Sequence, residues 1–204
     1  MAAATREFAT RGYDGASLRQ ICSSAGVTTG ALYFFFKNKE DLFRTVIDPV
    51  VAPMGSMLAE AGREGSVLSL PVDDEVVSLT RLSKENVAHR FLELCFDQRA
   101  LVQIMVKNRE TVVVEAILDE VSSSLAASIK FHLVEHDVDL AVWDAFMVGW
   151  LADIVLDSVV GILEMDETLD EARQHMEVIL EFIRGGCRAL REKRATGAGE
   201  TQAE

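Results

Sequence analysis

The residues with binding chemistry crowd into one short stretch, SLRQICSSAGVTTGALYFFFKNKEDLF, from Ser17 to Phe43. It holds a pair of threonines, a glycine, four consecutive aromatics and then Lys39. These side chains hydrogen-bond, stack and pair with anions; they are poor nucleophiles and poor proton carriers. Nothing elsewhere resembles a nucleophile elbow, a phosphate loop or a carboxylate dyad, so no enzymatic activity is expected. His132 and His136 stand four apart, a helical spacing at which two imidazoles share a metal, but no third His or nearby Cys joins them. No metal and no cofactor are therefore expected. Cys22, Cys95 and Cys187 form no CxxC pair and read as reduced core thiols of a cytoplasmic protein.

The elements that must position the stretch can be read from its punctuation. A first helix over Ala2–Thr10, anchored by Phe8, stops at Gly12. Ser17 caps a second helix, and Gln20 three residues on completes a capping-box pattern. Gly26 suits a left-handed corner, Val27 is expected to pin that corner into the core, and Thr28 caps a third helix, Thr29 to about Phe35. Two short helices joined through a glycine corner make a helix-turn-helix. On the third helix Ala31, Leu32 and Phe36 fall inward, while Thr28, Thr29, Gly30, Tyr33 and Phe34 fall mainly outward. Two outward aromatics call for a partner. Asn38 caps a fourth helix with Asp41 at the reciprocal position; Lys39 in its first turn is badly placed for a cation unless an anion such as phosphate docks there. Pro49 and Pro53 then mark a kink or stop at about Val51.

Charge divides the chain in two. Residues 1–48 carry six Lys or Arg against five Asp or Glu, which gives +1 and leaves −14 of the total −13 on the remainder. An acidic body repels nucleic acid, so any contact with a phosphate backbone belongs to the first 48 residues. No signal peptide is expected, since Arg6 and Glu7 follow Met1–Ala4 where an apolar run would stand, and the longest apolar region, 138–165, carries Asp139, Asp144, Asp153, Asp157 and Glu164, too many charges for a membrane span.

The body reads as helical throughout. Residues 62–71 read as a loop and 72–82 are unassigned. A helix from Ser83 or Lys84 carries Phe91 and Cys95, a short one carries Met105, and three long ones cover 110–136, 140–164 and 168–193; beyond that a disordered tail, 194–204, is expected. Phe91, Cys95, Met105, Phe131 and Trp143 are generic pocket candidates. Phe146, Trp150, Asp153 and Asp157 share one face of a long apolar helix, where ring faces and carboxylates suit a cation; a competing reading pairs the two aspartates with Arg across a dimer. The last helix spaces Met176, Ile179, Ile183 and Cys187 by three and four, a seam for a partner helix.

The ordered set REFATRGYDGASLRQICSSAGVTTGALYFFFKNKEDLF resembles the DNA-binding domain of the tetracycline-repressor (TetR) family of bacterial regulators, from residue 1 to about 46. The resemblance implies an all-α protein: a three-helix DNA-binding domain with its helix-turn-helix over 1–46, then a ligand-binding and dimerisation domain over 47–193. It implies a homodimer, closed by a four-helix bundle, that binds a palindromic operator, represses transcription and is released by a small molecule; the acidic balance of the body and the face of Phe146, Trp150, Asp153 and Asp157 favour apolar or cationic effectors. The alternative is a helical binding protein of the same fold with weak or lost DNA binding. The family's DNA contacts carry over onto Thr28, Thr29, Gly30, Tyr33, Phe34 and Lys39, with Tyr33 and Lys39 on phosphates and the first three near base edges. The chain departs from the family where Thr29 replaces a frequent Arg or Lys, where Phe35 replaces a frequent His, and at its start, which lacks the usual basic arm.

Overall fold

The computed structural model describes residues 1–64, 87–135, 143–165 and 167–200; within them every regular element is an α-helix. The first four are α1 (Ala2–Gly15), α2 (Leu18–Ala25), α3 (Thr29–Phe35) and α4 (Lys39–Glu64). Five more form the body: α5 (Val87–Asp97), α6 (Arg99–Lys107), α7 (Val112–Glu135), α8 (Ala145–Met165) and α9 (Leu169–Glu200).

Local chemistry accounts for the boundaries in the first half. Gly12 adopts φ 70° and ψ 177°, a backbone region essentially reserved for glycine, so α1 breaks there before its final turn. Gly26 is left-handed at φ 69°; its N–H reaches the Ser23 carbonyl and the Val27 N–H the Cys22 carbonyl, the paired bonds of a Schellman ending. Thr28 Oγ1 accepts the Ala31 N–H at 3.1 Å and Asn38 Oδ1 the Asp41 N–H at 2.8 Å, capping α3 and α4. Two details differ from the expectation. The Ser17 hydroxyl accepts from Gln20, but the Ser17 N–H is taken by Glu7 of α1 rather than by Gln20. Val27 is exposed, because the Schellman bonds alone hold the corner.

The prolines do not stop α4. It runs unbroken through Pro49 and Pro53, although each removes one bond to the carbonyl four residues earlier. Val46, Ile47, Val50 and Met54 are buried on either side of them, and this packing outweighs the lost bonds. The expected division at 46/47 therefore falls inside a helix, and 62–64 are helical rather than loop. Residues 65–86, with the unassigned segment and the expected helix start near Ser83, lie outside the described residues, as does His136.

In the body α4 packs on α7, α7 on α8, and α9 on α5 and α8. Ala172, Met176, Leu180 and Ile183 of α9 face Val148, Leu151, Ala152, Val155, Val159 and Ile162 of α8 within one continuous core. Asp144 caps α8 through the Met147 N–H, and Thr168 with Glu171 forms a reciprocal capping box at the start of α9. The bond from Thr168 holds the Glu171 carboxyl below the usual range. Helix α9 continues to Glu200, so 194–200 are helical where a disordered tail is expected; 201–204 lie outside the described residues. By length and composition α8 and residues 39–60 of α4 are apolar enough to cross a membrane, yet both contribute a buried stripe to this core.

Candidate nucleic-acid interface and effector cavity

Helices α2 and α3 stand on a small aromatic core. Phe8, Tyr13 and Phe43 meet with ring centroids 5.0–6.3 Å apart, which ties the end of α1 to α4. Leu32 is buried and anchors α3, Phe36 is half-buried, and the rest of α3 faces outward. That outer surface comprises Thr28, Thr29, Gly30, Tyr33 and Phe34, together with Ala31 and Phe35, whose exposure the helical reading missed. A seven-residue helix resting on one leucine leaves most of its circumference open. Phe34 is 83% exposed and Phe35 73%, their rings edge to face at 5.1 Å.

Lys39 takes a different course from the one its position suggests. Its Nζ donates to the carbonyls of Asp14 at 3.1 Å and Ala16 at 3.4 Å, and sits 4.7 Å from the centre of the Tyr13 ring. In this conformation the ammonium closes the end of α1 instead of projecting toward solvent. Asp41, not an external anion, satisfies the Lys37 N–H at 2.9 Å.

A part-buried polar contact joins the recognition unit to the body. Asn108, which follows α6, is buried; its Oδ1 accepts the Tyr13 N–H at 2.6 Å and its Nδ2 donates to the Ile104 carbonyl at 2.6 Å. A Cβ added at Gly12 would lie 3.0 Å from the same Oδ1. No sequence pattern marks Asn108, which reads as an ordinary turn residue.

Behind α6 lies an apolar cavity in two adjoining lobes of about 70 and 50 Å³. Met54, Phe91, Leu156 and Val159 line both lobes; Met57, Val87, Leu125 and Met176 belong to the first, and Cys95, Val102, Met105 and Leu163 to the second. Burial pushes the Cys95 thiol up to about 12, against a smaller opposing pull from Arg99. Arg109 borders the second lobe, its guanidinium 2.8 Å from Glu164.

Of the pocket candidates, Phe91, Cys95 and Met105 line this cavity. Trp143 lines a separate surface hollow between α7 and α8, and Phe131 is exposed. Phe146, Trp150 and Asp153 lie on the outer face of α8, and Asp153 accepts a hydrogen bond from Ser122 at 2.5 Å. Among the described residues no Asp or Glu lines either lobe, so the expectation of a cationic effector loses its basis while the apolar one keeps it.

Residues 1–46 match the family model of bacterial regulatory proteins, tetR family. Over these residues the chain is similar to the tetR family of bacterial regulatory proteins. Among curated relatives, the HTH-type transcriptional repressor BepR of Brucella suis is 38% identical over 61 residues, 30% of this chain and 29% of that protein. The chain thus spans under a third of that relative. The HTH-type transcriptional regulator AcrR of Shigella flexneri is 25% identical over 183 residues, 88% of this chain and 85% of AcrR. A crystal structure of a transcriptional regulator from Aquifex aeolicus shares the fold, with TM-score 0.57 at 17% identity over 87% of this chain and 94% of the other. All three are transcriptional regulators.

The packing within the protomer corrects the expected dimer seam. Met176 is 1% exposed and Ile183 is also buried within the protomer, while Ile179 and Cys187 are half-buried, the Cys187 thiol pushed up to about 11 by burial. The periodic stripe is the internal face of α9, packed on α5 and α8. Among the described residues of these two helices the large apolar side chains left outside are Val178, Phe182 and Leu190 on α9 and Phe146, Trp150 and Met165 on α8.

Proposed function

We propose that the chain is a cytoplasmic, ligand-responsive transcriptional repressor that binds a two-fold operator as a homodimer through α2 and α3. The observation that carries this reading is the recognition helix. Its outer face, from Thr28 to Phe35, is solvent-exposed, whereas its single buried anchor is Leu32. Large exposed aromatics on a rigidly capped helix are costly in water and suit a groove. Dimerisation uses the outward faces of α8 and α9, where Phe182 is 83% exposed and Trp150 half-exposed. The effector is a small apolar molecule held in the two-lobed cavity, whose walls offer thioethers, aliphatic groups and Phe91. Methionines at positions 54, 57, 105 and 176 can move aside to enlarge the space. A ligand that widens it displaces α6, and with it the Asn108 bond to Tyr13, so the population shifts away from the DNA-binding geometry.

The test is a mobility shift on the DNA upstream of its own gene at several salt concentrations, with sedimentation in parallel. Salt-sensitive binding by a dimer supports the reading; a monomer without DNA affinity refutes it. A second reading, a binding protein of this fold with weak or lost DNA binding, is favoured by Lys39, whose ammonium is committed to the carbonyls of Asp14 and Ala16. Salt-independent absence of a shift would select it.

A further inference from the structure

The way in which the operator is read follows from what α3 lacks, given the regulator reading on which this inference rests. Guanine is recognised in the major groove by Arg or Lys and adenine by Asn or Gln, each through paired hydrogen bonds. From Val27 to Phe36 the chain has none of these four residue types. Its polar groups there are two threonine hydroxyls and one phenol, and the Thr28 oxygen already caps the Ala31 N–H.

What the helix offers instead is apolar and fixed. Phe34 stands almost wholly in solvent, and the edge-to-face contact with Phe35 restrains its ring. One turn earlier, on the same face, Gly30 has no side chain, and a Cβ there would meet only Thr28 Oγ1 at 3.9 Å. The backbone of the first turn can therefore approach the floor of the groove while Phe34 extends alongside it. The one base-edge group that rewards such a surface is the C5 methyl of thymine.

We propose that this protein reads its half-site mainly through thymine methyl groups, with Phe34 as the principal specificity-determining residue and the methyls of Thr28, Thr29 and Ala31 in support. Phosphates fix the register, and guanine contributes little at the positions facing α3.

The experiment starts from selection of bound sequences out of a pool of random duplexes. Each enriched thymine is then replaced by deoxyuridine, which deletes the methyl and keeps the hydrogen-bonding pattern. The native protein should lose about fourfold in affinity per contacted methyl, the change expected from exposing one methyl-sized group. Phe34→Ala, at an exposed position that leaves the fold intact, should bind more weakly and be indifferent to the same replacement. Guanine-dominated half-sites, indifference of the native protein to deoxyuridine, or an equal loss in Phe34→Ala would each overturn the inference. Salt-sensitive DNA binding without any methyl effect would overturn it and leave the regulator reading standing. No binding even at low salt would overturn both.

Discussion

Asn108 Oδ1 and the backbone N–H of Tyr13 lie 2.6 Å apart, ninety-five residues distant in sequence, and join the cavity-lining helix α6 to the end of α1. Both sides of this bond are specified: Asn108 is fixed by its own bond to Ile104, and Tyr13 by the Phe8 and Phe43 rings. The first prediction follows. Asn108→Ala leaves a part-buried N–H without its acceptor and should lower stability by about 1–3 kcal/mol in urea unfolding. DNA release by an effector should weaken as well, because α6 no longer pulls on α1. An unchanged effector response in Asn108→Ala would show that the signal takes another route.

Gly12 supplies an independent check on the same contact. Gly12→Ala forces an L side chain into φ 70° and ψ 177° and presses its Cβ on Asn108 Oδ1, so a loss of about 1–3 kcal/mol from conformation alone is expected, with a steric increment. In an Asn108→Ala background only the conformational part should remain. A double-mutant cycle by urea unfolding measures the difference, and additivity would exclude a direct clash.

Dimerisation separates two residues of α9 that six positions divide. Phe182→Asp should give a monomer in sedimentation with monomer stability changed by about 0.5 kcal/mol or less, because the side chain is exposed. Met176→Asp should prevent folding, since it buries a carboxylate among Phe91, Leu125 and Val155 at the first lobe. Monomers from a folded Met176→Asp and dimers from Phe182→Asp would reverse the assignment of faces.

Ligand charge can be tested without knowing the effector. In a thermal-shift series of matched neutral, cationic and anionic aromatic compounds, the neutral members should raise Tm most, since among the described residues a cation entering either lobe meets no carboxylate and an anion meets only Arg109, whose guanidinium is already paired with Glu164. Asp153→Asn should leave the order unchanged, as that carboxylate faces Ser122. Val159→Trp, which fills the junction of the lobes, should remove the shifts at an overpacking cost of about 1–3 kcal/mol. Stabilisation by the cationic set that disappears in Asp153→Asn would contradict this.

Alkaline pH should expose the burial of Cys95. Its thiol ionises at about 12 in the folded chain against 9.0 without burial, so above pH 9.0 the unfolded state sheds the proton first. Stability supplied by this group is complete below pH 9.0 and declines as pH rises toward about 12. Urea unfolding across that window should show a shallower decline in Cys95→Ala than in the native chain, and equal slopes would refute the assignment.

The recognition unit was legible because its determinants are local. Ser17, Gly26, Thr28 and Asn38 act on neighbours three or four residues away, and each is found at the helix end its type suggests. What stayed hidden depends on tertiary partners. Glu7 completes the Ser17 cap from another helix, and Lys39 turns to carbonyls more than twenty residues upstream. Periodicity identified the apolar stripe through Met176 and Ile183 correctly as a packing face, but helical spacing carries no information about whether the covering surface comes from the same protomer or from another. The outward aromatics and aspartate of α8 misled for the same reason: a shared face is not a shared cavity.

Helix α4 has a practical consequence for anyone who would recombine such regulators. Phe43, Val46 and Ile47 are buried with α1 in the same core that continues to Val50, and Val50 and Met54 of the same helix line the cavity. A reading head cut away at residue 46 would lose half of its own floor, and a body starting at 47 would open onto bare apolar side chains. Grafts that exchange DNA specificity between bodies should therefore keep α4 whole and trade only the surface of α2 and α3, leaving Leu32, Tyr13 and Asn108 with the recipient.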